Sequence, residues 1–177
     1  MNNNSSTRQH EAAMGRFIER MGGLEEWVVK GFFNQTRAEA QWLARRRSQG
    51  PGRPGSPPGL ARLQKQSLRL QAREALDHRL AETCGNLLDD LNLLASQIVT
   101  RRIQAHDRPE AAREMVLHWA LLLPAAAAAA FRRRIEYANA EQNHGGLALE
   151  VSGPRPPYTF CPALEAEPAT LAMNLRR

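Results

Sequence analysis

The chain has 177 residues, 42% hydrophobic and 24% charged, which is enough to bury a core and too apolar for wholesale disorder. Its 24 basic and 18 acidic groups leave a net charge of +6, gathered mainly in residues 1–60, where nine basic groups meet five acidic ones. Two cysteines exclude a disulfide-dense secreted scaffold, and no apolar run approaches the ~18 residues of a membrane span, so the expectation is a soluble cytoplasmic protein.

Residues 1–8 are Asn- and Ser-rich and read as disordered. Residues 9–21 predict a short helix with Met14, Phe17, Ile18 and Met21 on one face, closed by Gly22-Gly23. Leu24 to Phe33 predicts a buried strand. Trp27, Val29 and Phe33 share one face of it; Val28, Lys30 and Phe32 share the other. Thr36-x-x-Glu39 reads as a capping box opening a helix over 37–47. Residues 48–58 hold four prolines and three glycines and read as a mobile loop.

A long helix is expected from Gly59 to Ile103. Leu68, Ala72, Leu76, Leu80, Cys84, Leu87, Leu91, Leu94 and Ile98 recur at three- and four-residue steps, the signature of one packed face. Gly85-Asn86 is a place where it would kink or split. Arg113 to Leu123 is almost wholly apolar and predicts a central strand, and Pro124 then opens an Ala-rich helix through Phe131, Ile135 and Tyr137. Leu147 to Val151 predicts a third strand, Gly153 to Phe160 a proline-stiffened extended segment, and 161–177 a loosely held tail. The expected fold class is α+β: a single domain over 9–160, with a small three-stranded sheet packed against one long and several shorter helices.

The residues offer no assembled catalytic constellation, and the chain is read as non-enzymatic. Cys84 falls on the apolar stripe and Cys161 follows the proline segment, neither with a CxxC partner. The five histidines lack metal-ligand spacing, so no metal and no cofactor is implied. Asp89 and Asp90 point about 100° apart on a helix and read as a solvated face. His118 beside Trp119 reads as a packed core histidine.

Two segments carry a resemblance. Gly153-Pro154-Arg155-Pro156-Pro157-Tyr158-Thr159-Phe160, with the apolar strand and Ala-rich helix before it, resembles the ending of the gas vesicle protein L/F family, commonly Thr-Gly-Pro-Trp-Pro-Pro-Tyr-Ser-Phe. Glu26-Trp27-Val28-Val29-Lys30 resembles that family's Glu-Trp-x-Val-Lys strand, and Gly59-Leu-Ala-Arg-Leu63 its Gly-x-x-Tyr-Leu helix start. Arg155 stands where Trp is usual and Arg62 where Tyr is usual. The resemblance covers about residues 14–160 and is to the family's second, C-terminal domain, without the N-terminal α+β domain typical members carry. It implies an accessory protein of gas vesicle assembly that binds the hydrophobic shell subunit or other accessory proteins. Trp27, Lys30, Gly153, Pro154, Arg155, Pro156, Pro157, Tyr158 and Phe160 become the candidate interaction residues. In the plainer reading the prolines fix a turn and Tyr158 packs as an anchor.

Three alternatives compete. The arginines, Arg45 to Arg47 above all, would suit a nucleic-acid binder, although a basic run is ordinarily a solvated face. The others are a small enzyme whose residues lie in no recognised motif, which a buried pocket with converging groups would reveal, and a shortened, non-functional paralogue.

Overall fold

Strands that are apolar on both parities belong where both faces are covered. In the computed structural model, which describes residues 14–48, 58–103, 113–142 and 145–161, the two strongest such runs lie side by side in the middle of one sheet. Helix α1 covers 14–21 of the described residues. It is followed by β1 (Leu24–Phe33), α2 (Gln35–Ser48), α3 (Pro58–Asn92), β2 (Gln97–Thr100), β3 (Glu114–Pro124), a 3-10 turn (Ala125–Ala127), α4 (Ala128–Gln142), β4 (Leu147–Arg155) and a 3-10 turn (Tyr158–Phe160). The sheet order is β2-β3-β1-β4, with every neighbouring pair antiparallel.

The α+β class holds, but the sheet has four strands rather than three. The fourth, β2, lies inside the segment read as the end of the long helix, which stops at Asn92 and not at Ile103. Ile98 is four residues beyond Leu94 and so extends the helical count. Yet Ile98, Val99 and Thr100 are all β-branched and stiff at χ1, which favours a pleated strand. The amide of Ser96 donates to the Leu122 carbonyl at 2.8 Å and starts the pairing with β3. Upstream, α3 runs unbroken through Gly85 and Asn86 for 35 residues, about 50 Å at 1.5 Å per residue. The cap of α2 is Asn34, not Thr36: the Asn34 Oδ1 accepts the Arg37 amide at 2.9 Å. Glu39, the expected capping-box partner, instead pairs with Arg73 of α3 at 3.0 Å.

Trp27, Val29 and Phe33 of β1 share a face with Leu117, Trp119, Leu121 and Leu123 of β3 and with Leu147 and Leu149 of β4. They form one buried cluster with Leu76, Leu87 and Leu91 of α3, Phe131, Ile135 and Ala138 of α4, and Ala38 of α2. Each such side chain contributes roughly 1.5–3 kcal/mol on burial. The buried part of the α3 stripe therefore begins at Ala72; Leu68 is exposed. On the opposite face Val28, Phe32, Met115, Ala120 and Leu122 are buried as well, and Phe17 of α1 is buried outside the first cluster. Gly31 is required by closeness, since a Cβ there would sit 2.5 Å from the Leu117 side chain.

Strand β4 is an edge, with outward backbone groups that need a partner. Asn139 of α4 supplies one. Its Nδ2 donates to the Leu149 carbonyl at 2.9 Å, and its Oδ1 accepts the Leu149 amide at 2.8 Å. One side-chain amide thus imitates a strand neighbour for a single residue. The proline in β4, Pro154, also sits on this edge, where a missing amide costs no ladder bond.

Cys84 packs against the main cluster, and burial pushes its thiol above the ordinary value, whereas Cys161 is exposed. The neutral, half-covered Cys84 is a poor nucleophile. Native protein is expected to take up one equivalent of a disulfide-exchange thiol reagent rapidly near pH 8, and the second only after denaturation. Two fast equivalents in the native state would contradict this packing.

Candidate functional site: a clamped proline segment

The conspicuous polar group of the interior is a carboxylate. Glu26, next to Trp27 on β1, is 1% exposed. A buried carboxylate is costly unless its oxygens are bonded. Here both are: the Thr159 amide donates to Oε2 at 2.7 Å, and the Thr159 hydroxyl donates to Oε1 at 2.7 Å. The Arg155 Nε lies 3.7 Å from Oε1, completing an ion pair with one buried and one partly exposed member. The first turn of the 158–160 helix has amides with no intrahelical partner, and Glu26 takes one of them.

The backbone that delivers this geometry is a bulge. Between the pairs Val28–Ser152 and Glu26–Arg155, β4 contributes one more residue than β1. Bulges bend a strand and re-aim its side chains, and this one brings Arg155 opposite Glu26. Gly153 sits within it at φ +138, with a cis peptide to Pro154. A Cβ at Gly153 would lie 2.9 Å from the Glu26 carbonyl oxygen and 3.0 Å from the Trp27 ring. Trp27 is buried behind it, its ring centroid 5.5 Å from that of Phe131 and its Nε1 donating to Glu25 Oε2 at 3.1 Å. The Arg132 guanidinium lies 4.7 Å from the Trp27 ring centroid, in cation–π range. A groove of about 320 Å³ runs beside this stack, lined by residues that include Arg132, Glu136, Val151 and Gly153.

The structure thus joins Trp27, Gly153, Pro154 and Arg155 into one unit. It keeps Lys30 out of it: Lys30 is half-buried further along β1, opposite His118 of β3 and Glu150 of β4. Pro156 is exposed and Pro157 half-buried, and their carbonyls accept the Tyr158 amide (2.8 Å) and the Phe160 amide (3.1 Å). Phe160 is half-buried. Tyr158 is not the packed anchor of the plainer reading: it is 72% exposed. The turn directs Thr159 inward to Glu26, so its neighbour Tyr158 points out. Glu26 and Thr159 are the site residues that the motifs alone do not single out. The signal for Glu26 was an acidic residue leading an otherwise buried strand; for Thr159 there was none beyond its place in the motif.

Elsewhere, Asp90 is not merely solvated but bonds Arg134 of α4 at 2.7 Å. Arg45, Arg46 and Arg47 occupy the last turn of α2, where cations offset the exposed carbonyls, and Arg46 stacks 5.4 Å from the Trp42 centroid. The basic run therefore has a local structural role. Among the described residues no group of three or more His, Cys, Asp or Glu could hold a metal ion, and no helix is long and apolar enough to cross a membrane.

The fold and this segment describe an α+β protein whose most constructed surface is a proline-rich ridge fixed from beneath by a buried carboxylate. Residues 4–162 match the family model described as gas vesicle synthesis protein GvpL/GvpF, and the chain belongs to that family. The structure is similar to the crystal structure of gas vesicle protein GvpF from Anabaena sp. PCC7120, with a TM-score of 0.56 and 18% identity over 86% of this chain. It is also similar to that of GvpF from Microcystis aeruginosa, with a TM-score of 0.54 and 16% identity over 88% of this chain. At these identities the likeness establishes the fold. The chain spans 56% and 61% of the length of those two proteins. No curated protein matches it.

Proposed function

We propose that this chain is a non-enzymatic accessory protein of gas vesicle assembly, acting in the cytoplasm by binding the vesicle shell subunit or other accessory proteins. The observation that carries the reading is the family match over residues 4–162. The described fold is proposed to form one domain, corresponding to the family's C-terminal domain; that the chain spans 56% and 61% of the two GvpF chains supports a correspondence to part of them. The contact surface is proposed to be the ridge 153–160, because Glu26 and Trp27 hold its backbone while Tyr158 faces outward and Arg155, paired to Glu26, stays partly exposed. A pre-fixed surface loses little conformational freedom on binding.

Arg155 occupies the place of the family's usual Trp, so a large apolar contact is replaced by a charge. Arg155→Trp is expected to strengthen binding to the shell subunit about tenfold in a pull-down titration, in the range of an aromatic interface anchor. Failure of the native chain to co-purify with the shell subunit or any other vesicle protein, together with an unchanged titration for Arg155→Trp, would reject the reading.

A further inference from the structure

The first turns of α3 leave the core. From Gly59 to Gln71 every described side chain is exposed, and burial begins only at Ala72. This arm nevertheless carries leucines in water: Leu60, Leu63 and Leu70 are 49%, 64% and 56% exposed. With Ser67 they fall at steps of three, four and three, the spacing that keeps a seam on one side of a helix paired with another. The seam is distinct from the stripe that packs on the sheet. It ends at Glu74 and Asp77, the next positions in the same spacing.

The surroundings of the seam define its partner. Its flanking positions are Gln64, Gln66 and Gln71, all neutral, and a glutamine amide both donates and accepts. The basic residues Arg62, Lys65 and Arg69 stand roughly 120–180° around the helix from the seam, at 100° per residue. Arg73 is turned to Glu39 of α2. An acidic helix would find no cations beside the leucines. An anionic membrane would meet the apolar face while the cations pointed away from the headgroups. A second copy meets neither problem: neutral flanks face neutral flanks, and the like charges lie on remote sides, where salt screens them.

We propose that two copies of this chain associate through the α3 arms, packed antiparallel. Parallel packing would place Glu74 against Glu74 and Asp77 against Asp77. In the antiparallel register centred on residue 65, Leu60 meets Leu70 and Leu63 meets Ser67, and the acidic residues lie beyond the overlap. The seam from 60 to 70 is only about 16 Å long. It falls below the roughly 1,200–2,000 Å² of a standard interface, so the dimer is of the weak, concentration-dependent class.

The register gives a gain-of-function test. Ser67→Leu replaces the one polar seam position and puts leucine opposite Leu63 twice per dimer. Sedimentation equilibrium of the full chain, from about 10 μM to 1 mM, is expected to show monomer–dimer association. Ser67→Leu is expected to tighten it at least about tenfold, and Leu63→Gln to abolish it. Both positions are solvent-facing, so thermal melts of the two variants monitor that the fold is retained. Paired Leu63→Cys and Ser67→Cys changes, in a Cys84→Ala/Cys161→Ala background, are expected to give an oxidised dimer that Ser67→Cys alone does not. Native and Ser67→Leu chains that both stay monomeric at 1 mM would overturn the proposal, as would an association that neither seam variant alters. Efficient cross-linking by Ser67→Cys alone would overturn the antiparallel register.

Discussion

Glu26→Ala is expected to lower the stability of the protein by about 2–4 kcal/mol, read from urea unfolding. A hydrogen bond to a charged group contributes about 1.5–3 kcal/mol, and the carboxylate accepts two, at 2.7 Å each, from a nearly water-free position. Alanine also leaves a void under the proline ridge. Part of the loss is recovered because Thr159 is only half-buried and its amide and hydroxyl can turn to water. The effect has a local signature. With its tether gone, the segment around the exposed Tyr158 is expected to be cut by chymotrypsin faster than in the native chain. Arg155→Ala is the discriminating control. Its ion pair is long, at 3.7 Å, and its side chain is 39% exposed, so its removal is expected to cost less than about 1 kcal/mol. Equal losses for the two variants, or a Glu26→Ala loss under 1 kcal/mol, would show that Glu26 does not hold the ridge.

Gly153→Ala is expected to be about as damaging, 2–4 kcal/mol, for a different reason. At φ +138 a side chain is strained whatever the space around it. The added methyl would also meet the Glu26 carbonyl oxygen at 2.9 Å and the Trp27 ring at 3.0 Å. Neither neighbour can yield cheaply: one is backbone in the central strand, and the other is a buried indole held by Phe131 and Arg132. Ser152→Ala, one residue earlier and exposed, is expected to stay within about 0.5 kcal/mol. A Gly153→Ala chain as stable as Ser152→Ala would remove the steric argument.

What could be read from the amino acids divides along a physical line. β1 and β3 are legible because their burial on both faces is written as bulky apolar residues on both parities, and α3 because its inner stripe keeps the helical step from Ala72 to Leu91. β2 is not, because Ile98 satisfies the same step and the decision belongs to β3, which supplies the pairing. The proline motif was visible as a motif. Its support was not, since it rests on a carboxylate 133 residues away whose partner is set by a bulge rather than by any local pattern. For the same reason the direction of Tyr158 is not legible: an aromatic residue among prolines reads as an anchor until the turn around it is known. The leucines of the α3 arm were legible as apolar residues but not as a separate face, because only the end of the packed region at Ala72 distinguishes the two.

The sheet order has a temporal side. Of the four described strands β1 is made first, yet its neighbours begin at Glu114 and Leu147, and both hydrogen bonds to the Glu26 carboxylate come from Thr159. Until β3 is made, Trp27, Val28, Val29, Phe32 and Phe33 have no strand to pair with. α3 forms from local contacts long before the sheet can close on it. Thr159, which seals β1, is thus made only after all four described strands, and the proline ridge doubles as a marker of a completed sheet: it takes its shape only once the strand beneath it has found both neighbours.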